Sequence, residues 1–320
     1  MAQDAIRIAG IPVSSGKRVI FDQPRLTKAD LARYYQAVAG PMLREMADRP
    51  LSLLRLPEGM TGERFFQKHP GKGFPKAVKT VEITESDGAA APYAYVTDAA
   101  GIVGAVQMGS VEFHFWAAHR DRLDRPDRLV LDLDPDEALD FAAVRGAALD
   151  LRDLLADLGL AAWPLLTGGK GIHLVVPLRR ILGWDRLKHF ARGVAVLAAG
   201  RQPERFTAGM AKAGRSGRIF IDWLRNERGA TAIAPFSIRA RPGAPVACPV
   251  TWQELESIPR ASVFGPEAAL ERGWGDLEPP PPQALTVRTV AALDDRSRAA
   301  GLGRGVRSSS PRPRSRPPCR

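Results

Sequence analysis

Apolar and polar positions alternate along this chain in two rhythms, one helical and one extended. Leu31, Tyr34, Tyr35 and Val38 recur at helical spacing. Thr27 stands where an N-cap belongs, and Asp30, three residues on, completes a capping-box-like pair with Asp in place of Glu. Gly40-Pro41 is expected to close that helix, and Leu51–Leu56 reads as a short buried strand. Residues 58–80, rich in Gly, Lys, Phe and Pro, read as a long functional loop. From Val111 onward strands and helices alternate. Strands are expected at 111–116, 128–135, 162–166, 172–177, 219–224 and 233–236. A helix is predicted from Phe141, Val144, Ala148, Leu151, Leu155 and Leu158, stopped by Gly159, and another from Leu187, Phe190, Val194 and Leu197. The order is a mixed α/β arrangement without regular βαβ units, and no internal repeat is visible.

Composition bounds this picture. The chain has 320 residues, 45% of them hydrophobic, which suits a globular protein with a sizeable core. No apolar run approaches the ~18 residues of a membrane helix, and Met1–Gly10 lacks the pattern of a secretory signal. The two cysteines, Cys248 and Cys319, form no CxxC pair, so a disulfide framework and a cysteine zinc site are not expected, and a reducing cytoplasm fits. The formal charge is +11, but the last twenty residues hold six arginines and no acid. Without them, 40 basic residues face 35 acidic ones, a charge of only +5, so charge alone does not establish nucleic-acid binding. After Gly273 the composition shifts to a proline spacer at 279–282 and an Arg/Ser/Pro/Gly end. Residues 1–273 are therefore expected to form one catalytic domain and 274–320 a Pro/Arg-rich linker with a disordered basic tail.

Five short motifs carry candidate chemistry. In Leu131-Asp132-Leu133-Asp134-Pro135 the two carboxylates lie two apart on a strand, so they share a face. They repel one another unless a cation sits between them, and oxygen-seeking Mg²⁺ or Mn²⁺ would remove that cost; a strand end running into solvent is the plainer reading. Asp222 is an isolated acid in an apolar strand, open either to completing a three-carboxylate site or to pairing with Arg225 or Arg228. Thr167-Gly-Gly-Lys170-Gly-Ile-His173 offers glycines for close approach to an anion, with a hydroxyl, an ammonium and an imidazole attached; it also reads as a hairpin turn. Arg239 and Arg241 alternate and so share a face, suited to a triphosphate or a nucleic-acid backbone, or to a solvated strand edge. Phe65 and Phe66, followed by Lys68, suit stacking on an exposed base beside a phosphate, or simple core and loop cover. His114 shares a face with Glu112 and reads equally as a hydrogen-bonded core histidine.

Together these blocks resemble the polymerase domain of bacterial ligase D, a branch of the archaeo-eukaryotic primase superfamily. The likeness spans about residues 10–265 and rests on the ordered blocks LDLDP, TGGKGIH, FFQKH and FIDWLRNERGATAIAPFSIRARPGAP. It implies a primase-like core, a mixed and largely antiparallel sheet flanked by helices. It implies that Asp132, Asp134 and Asp222 hold two Mn²⁺ or Mg²⁺ ions and that Arg55, Lys68, His114, Thr167, Lys170, His173, Arg225, Arg239 and Arg241 surround the nucleotide. Phe65 and Phe66 would stack at the template break, and Arg18 with Lys28 would hold the 5′-phosphate of a gapped or broken DNA end. The family's usual His-Pro-Asp-Lys stretch reads Ser15-Gly16-Lys17-Arg18 here, which puts Arg18 where the family has lysine.

The function so implied is metal-dependent addition of NTP or dNTP to DNA 3′ ends in non-homologous end joining. No KxDG ligase motif is present, so the expected form is a stand-alone polymerase, associated with the bacterial nucleoid and working beside Ku and a separate DNA ligase, with no membrane partner. A primase that starts chains unaided is the rival enzyme. A non-catalytic DNA-end-binding module is the rival from another class, and clustered acids beside phosphates argue against it.

Overall fold

The computed structural model describes residues 6–85, 87–272 and 277–302. Two hairpins open the chain, β1 (Ile6–Ile8) with β2 (Ile11–Val13) and β3 (Val19–Phe21) with β4 (Leu26–Thr27). Helices α1 (Lys28–Ala37) and α2 (Ala39–Met46) lead to β5 (Leu51–Arg55) and β6 (Phe65–Gln67). A third hairpin, β7 (Lys79–Thr84) with β8 (Ala90–Tyr95), precedes α3 (Ala99–Gln107) and β9 (Ser110–Trp116). The second half runs β10 (Arg128–Pro135), α4 (Phe141–Asp157), β11 (Trp163–Leu166), β12 (Ile172–Pro177) and α5 (Trp184–Arg201). It continues through β13 (Phe206–Thr207), β14 (Ile219–Asp222), β15 (Thr231–Ile233) and β16 (Cys248–Pro249) to α6 (Trp252–Ser257), α7 (Pro266–Glu271) and α8 (Val287–Ala299).

Two sheets organise these elements, a six-stranded one in the order β13-β14-β10-β12-β11-β16 and a four-stranded one in the order β15-β9-β5-β6. Their strands pair antiparallel except β13 with β14. Side-chain alternation decides what each face meets. On β10, Leu129, Leu131 and Leu133 are buried against α4 and α5, whereas Val130 turns the other way, toward Ile233 of β15. On β9, Val111, Phe113 and Phe115 pack under α1 and α3, and the intervening Glu112 and His114 face inward between the sheets. The result is helices, sheet, sheet, helices, with the polar positions of β9 and β10 confronting each other.

Local signals explain most boundaries. Thr27 and Asp30 form the reciprocal capping box of α1: the Thr27 hydroxyl accepts from the Asp30 N–H at 3.2 Å and the Asp30 carboxylate accepts from the Thr27 N–H at 3.0 Å. Gly40-Pro41 does not end helical structure as expected. It lies in the first turn of α2, where proline's missing N–H has no intrahelical partner to lose. The 58–80 loop contains the short strand β6, and the strand expected at 233–236 stops at Ile233 because Phe236 turns with φ +66°. The segment expected as a linker carries α8, which packs Leu293 against α5 and is itself capped by Thr286. The tail expected to be disordered lies, from residue 303, outside the described residues.

A buried ion network ties α2 to the start of β10. Arg49 is 2% exposed; its Nη1 and Nη2 donate to the two carboxylate oxygens of Asp127 at 2.7 and 2.5 Å, and its Nε donates to the Glu45 carbonyl at 2.7 Å. Arg128 pairs with Glu45 at 3.1 Å. Burial lowers the Arg49 guanidinium to about 10, and Arg49 with Arg128 holds Asp127 far below the usual carboxylate range despite its own burial. Arg49→Ala should therefore destabilise the fold by about 3 kcal/mol, the low end for a broken buried pair, because Asp127 loses its bidentate partner and keeps only His119 at 3.1 Å and Arg128 at 3.5 Å. Replacing both partners by Arg49→Met and Asp127→Leu should cost less; chemical denaturation of the two variants checks the order.

Candidate active site

The site begins with strand register. β10 pairs on one side with β12, setting Asp132 opposite His173, and on the other with β14, setting Asp132 opposite Asp222. Directly opposed residues share a face, so Asp132 sits between His173 and Asp222, with Asp134 two residues further on that face. The glycine loop joins β11 to β12. At Gly171 a Cβ would lie 2.3 Å from the Leu133 carbonyl oxygen, and at Gly168, with φ +66°, 2.8 Å from Arg239 Cγ. Glycine there lets the loop close onto the carboxylate strand.

These groups line a cavity of about 590 Å³ between the two sheets. Asp132, Asp134, Thr167, Lys170, His173, Arg225, Arg239, Arg241 and His114 all contribute to its wall. Asp222 stands beside it, joined through Arg225, whose guanidinium reaches Asp132 Oδ2 at 3.0 Å and Asp222 Oδ2 at 3.3 Å. Arg228, the other expected partner of Asp222, pairs with Asp124 at 3.7 Å instead. His173 Nε2 lies 3.4 Å from Asp132 Oδ2, and its buried Nδ1 has no hydrogen-bond partner among the described residues.

The three carboxylates differ electrostatically. Burial pushes Asp132 up, but His173 and Arg225 outweigh it and bring that carboxyl down to about 2. Asp134 is raised by burial and by the neighbouring charge of Asp132. Asp222 is raised by burial and by Asp132, against the opposing pull of Arg225. On the facing sheet Glu112 is brought down to about 2, because His114 and Arg239 outweigh its burial.

This donor set suits a hard divalent cation. Carboxylate oxygens share one face, two of these carboxyls are raised by burial and by the nearby charge of Asp132, a cost that a bound cation would relieve, and neighbouring cations suit an anionic substrate. Among the described residues no three His, Cys, Asp or Glu side chains converge as a finished metal shell; the Arg225 guanidinium supplies the charge between Asp132 and Asp222.

Other expected residues fall elsewhere or act differently. The Thr167 hydroxyl closes its own turn, donating to the Gly171 carbonyl at 2.9 Å and accepting from Gly169 N–H at 3.3 Å. Lys170 reaches Glu137 at 3.3 Å. Arg239 and Arg241 reach the cavity from an irregular segment rather than a strand, and Arg239 donates to the Thr167 carbonyl at 2.5 Å. Arg55 does not line the cavity: it bonds the Met108 carbonyl and Gln67 and stacks over Phe65 at 5.2 Å. Lys68 is exposed outside the cavity wall. As neighbours on β6, Phe65 and Phe66 point to opposite faces; Phe66 meets the His114 ring edge-on at 5.3 Å and is 60% exposed. Arg18 and Lys28 sit together but apart from the cavity. Lys28 donates to the Ser14 carbonyl at 3.0 Å, Arg18 to that of Pro57 at 2.5 Å, and burial with the nearby Arg18 lowers Lys28 to about 8.

Two cavity cations escaped the sequence reading. Lys212 and Arg215 line the wall beside Asp134, with Arg215 Nη1 3.5 Å from its carboxylate and its guanidinium over the Phe220 ring at 3.7 Å. The basic, glycine-rich run Gly209–Arg218 was the available signal, but without a strand or helix pattern nothing tied it to β10.

Comparisons with known proteins identify the family of the chain. Residues 27–279 match the LigD primase-polymerase domain family. The chain is 43% identical over 258 residues to the multifunctional non-homologous end joining protein LigD of Pseudomonas aeruginosa, covering 79% of this chain and 30% of that protein. It is 31% identical over 300 residues to the LigD of Mycolicibacterium smegmatis, covering 91% of this chain and 39% of that protein. The chain thus spans well under half the length of these relatives. The solved polymerase domain of Mycobacterium tuberculosis ligase D in complex with DNA superposes with a TM-score of 0.77 at 29% identity, covering 84% of this chain and 96% of that one. No helix among the described residues is long and apolar enough to cross a membrane. With its mixed α/β fold and the acidic pair of β10 opposite His173 and Asp222, the chain belongs to the LigD primase-polymerase domain family, a family of DNA-directed nucleotidyltransferases that generally need divalent metals.

Proposed function

We propose that this protein adds NTP or dNTP to the 3′ end of DNA at gaps and double-strand breaks, in end-joining repair beside Ku and a DNA ligase. The observation that carries the reading is the register that sets Asp132 between His173 and Asp222, with Asp134 on the same face, in a cavity walled by basic side chains. Asp132, Asp134 and Asp222 would hold two Mn²⁺ or Mg²⁺ ions, which supply Lewis-acid activation and charge neutralisation when bound. The protein's own groups do the rest. Arg239 and His173 neutralise and orient the triphosphate, and the closed turn of Thr167 presents the loop to it. Arg225 keeps Asp132 and Asp222 ionised and aligned. Phe66, exposed beside His114, offers a stacking face for an unpaired base.

The test is nucleotide addition by the purified protein on a gapped duplex with Mn²⁺, each NTP and dNTP supplied in turn. Extension supports the reading; its absence, with labelled product on unprimed template instead, moves it to a primase.

The paired cations Arg18 and Lys28 support a role at the 5′-phosphate of the gap. Two charge-assisted contacts should favour a 5′-phosphorylated gap by roughly ten-fold or more after loss to solvent screening. Because Lys28 is lowered to about 8, the preference should weaken as pH rises through that value. Arg18→Ala with Lys28→Ala should abolish the preference and leave extension of simple primers in place. Binding measured at two salt concentrations separates this from unspecific attraction.

A further inference from the structure

Glu112 is an acid in the middle of an apolar strand, 3% exposed, and an isolated carboxylate there is costly. Its surroundings account for it. Oε2 lies 2.8 Å from His114 Nε2 and 3.1 Å from Arg239 Nε, and Oε1 accepts the Ala240 N–H at 2.7 Å. One carboxylate thus joins β9 to the irregular 236–241 segment and touches two side chains of the cavity wall. Arg239 donates from Nη1 to the Thr167 carbonyl, and its buried Nε faces Glu112 Oε2 across an ion-pair contact that is not a hydrogen bond. His114 is gripped at Nε2, while Phe66 packs against its ring edge. Arginine and histidine otherwise sample several rotamers, and a charge held within a fraction of an ångström stabilises a reacting phosphate better than a mobile one.

We infer that Glu112 is a positioning residue for nucleotide transfer, orienting Arg239 and His114 toward the triphosphate side of the cavity and fixing the His114 proton on Nε2. This rests on the function proposed above. Glu112 acts through its two neighbours and touches neither the carboxylates of β10 nor the reacting groups.

The test uses Glu112→Gln in the full chain, with two separate readouts. The first, ring-nitrogen NMR of His114 in the nucleotide-free protein, does not depend on activity. The charged groups facing that ring are Glu112, Arg239 and Arg225. The native protein should carry the proton on Nε2, and in Glu112→Gln the protonation midpoint of His114 should fall by about 1 pH unit or more. Glu112→Asp, which keeps the charge but withdraws it by one methylene, should give an intermediate midpoint, and it serves alone if the glutamine variant does not fold. The second readout is kinetic: kcat/KM for nucleotide should fall at least ~10-fold in Glu112→Gln, and adding that change to Arg239→Ala should cost little more than Arg239→Ala alone. An unchanged His114 midpoint in a folded variant, or full additivity with Arg239→Ala, overturns the inference. If the native protein transfers no nucleotide, the NMR result still decides whether Glu112 fixes His114, so the two failures are distinguishable.

Discussion

Asp132→Asn is expected to lower nucleotide addition by at least ~10³ and also to weaken the fold, whereas Asp134→Asn should be as inactive but no less stable than the native protein. The contrast comes from their surroundings. Burial raises Asp132, yet His173 and Arg225 bring it down to about 2, so its ionised form stabilises the native state. A carboxyl with a depressed folded value contributes stability above its unfolded value, about 4, and loses it as pH falls through the folded value. Asp134 works the other way. Burial and Asp132 raise it, so its charge costs stability above the ordinary carboxylate range and acid relieves that cost. Reading the pair from sequence as simple mutual repulsion predicts that both substitutions spare the fold; the cross-strand partners of Asp132 separate them. Thermal denaturation from about pH 2 to 7, which passes through the folded value of Asp132, with primer extension at neutral pH on the same variants, checks both halves.

Arg239→Ala is expected to reduce kcat/KM for nucleotide by roughly 10²–10³ while gapped-DNA binding changes little. The side chain lines the cavity between Glu112 and the glycine loop and has no part in the Arg18–Lys28 pair that would meet DNA. His173→Ala should act in the same direction and also release one of the groups that hold Asp132 down. A lysine at position 239 should recover only part of the loss, since it cannot span Glu112 and the Thr167 carbonyl together. Nucleotide saturation curves and DNA titrations on each variant separate the two contributions. Normal saturation by both alanine variants would remove them from the triphosphate wall.

Much of the fold was legible because strands β10 and β12 and helices α4 and α5 carry clean periodicities with clear stops. Two-residue spacing was enough to put Asp132 and Asp134 on one face. It could not reveal register, and register is what brings Asp222 and His173 to either side of Asp132. The resemblance named those residues without saying why they meet. Gly40-Pro41 misled because proline is tolerated in a first helical turn as well as beyond a last one. Arg239 and Arg241 were read as strand neighbours, but the chain turns at Phe236 and reaches the cavity irregularly. Arg55 carried a family expectation of the nucleotide pocket, yet its guanidinium is bound to Gln67 and the Met108 carbonyl behind β6. Arg215 was missed because its partner, Asp134, lies 81 residues earlier and the loop bearing it has no periodic pattern.

The carboxylates of β10 and β14 are proposed to form the cation site on which nucleotide transfer depends. Electron paramagnetic resonance titration of Mn²⁺ tests it most directly, with a non-reacting nucleotide triphosphate, on the native protein and on Asp132→Asn with Asp134→Asn. About two tightly held Mn²⁺ ions are expected per native chain, with loss of that tight binding in the double variant. Equal Mn²⁺ binding by a folded double variant would contradict it.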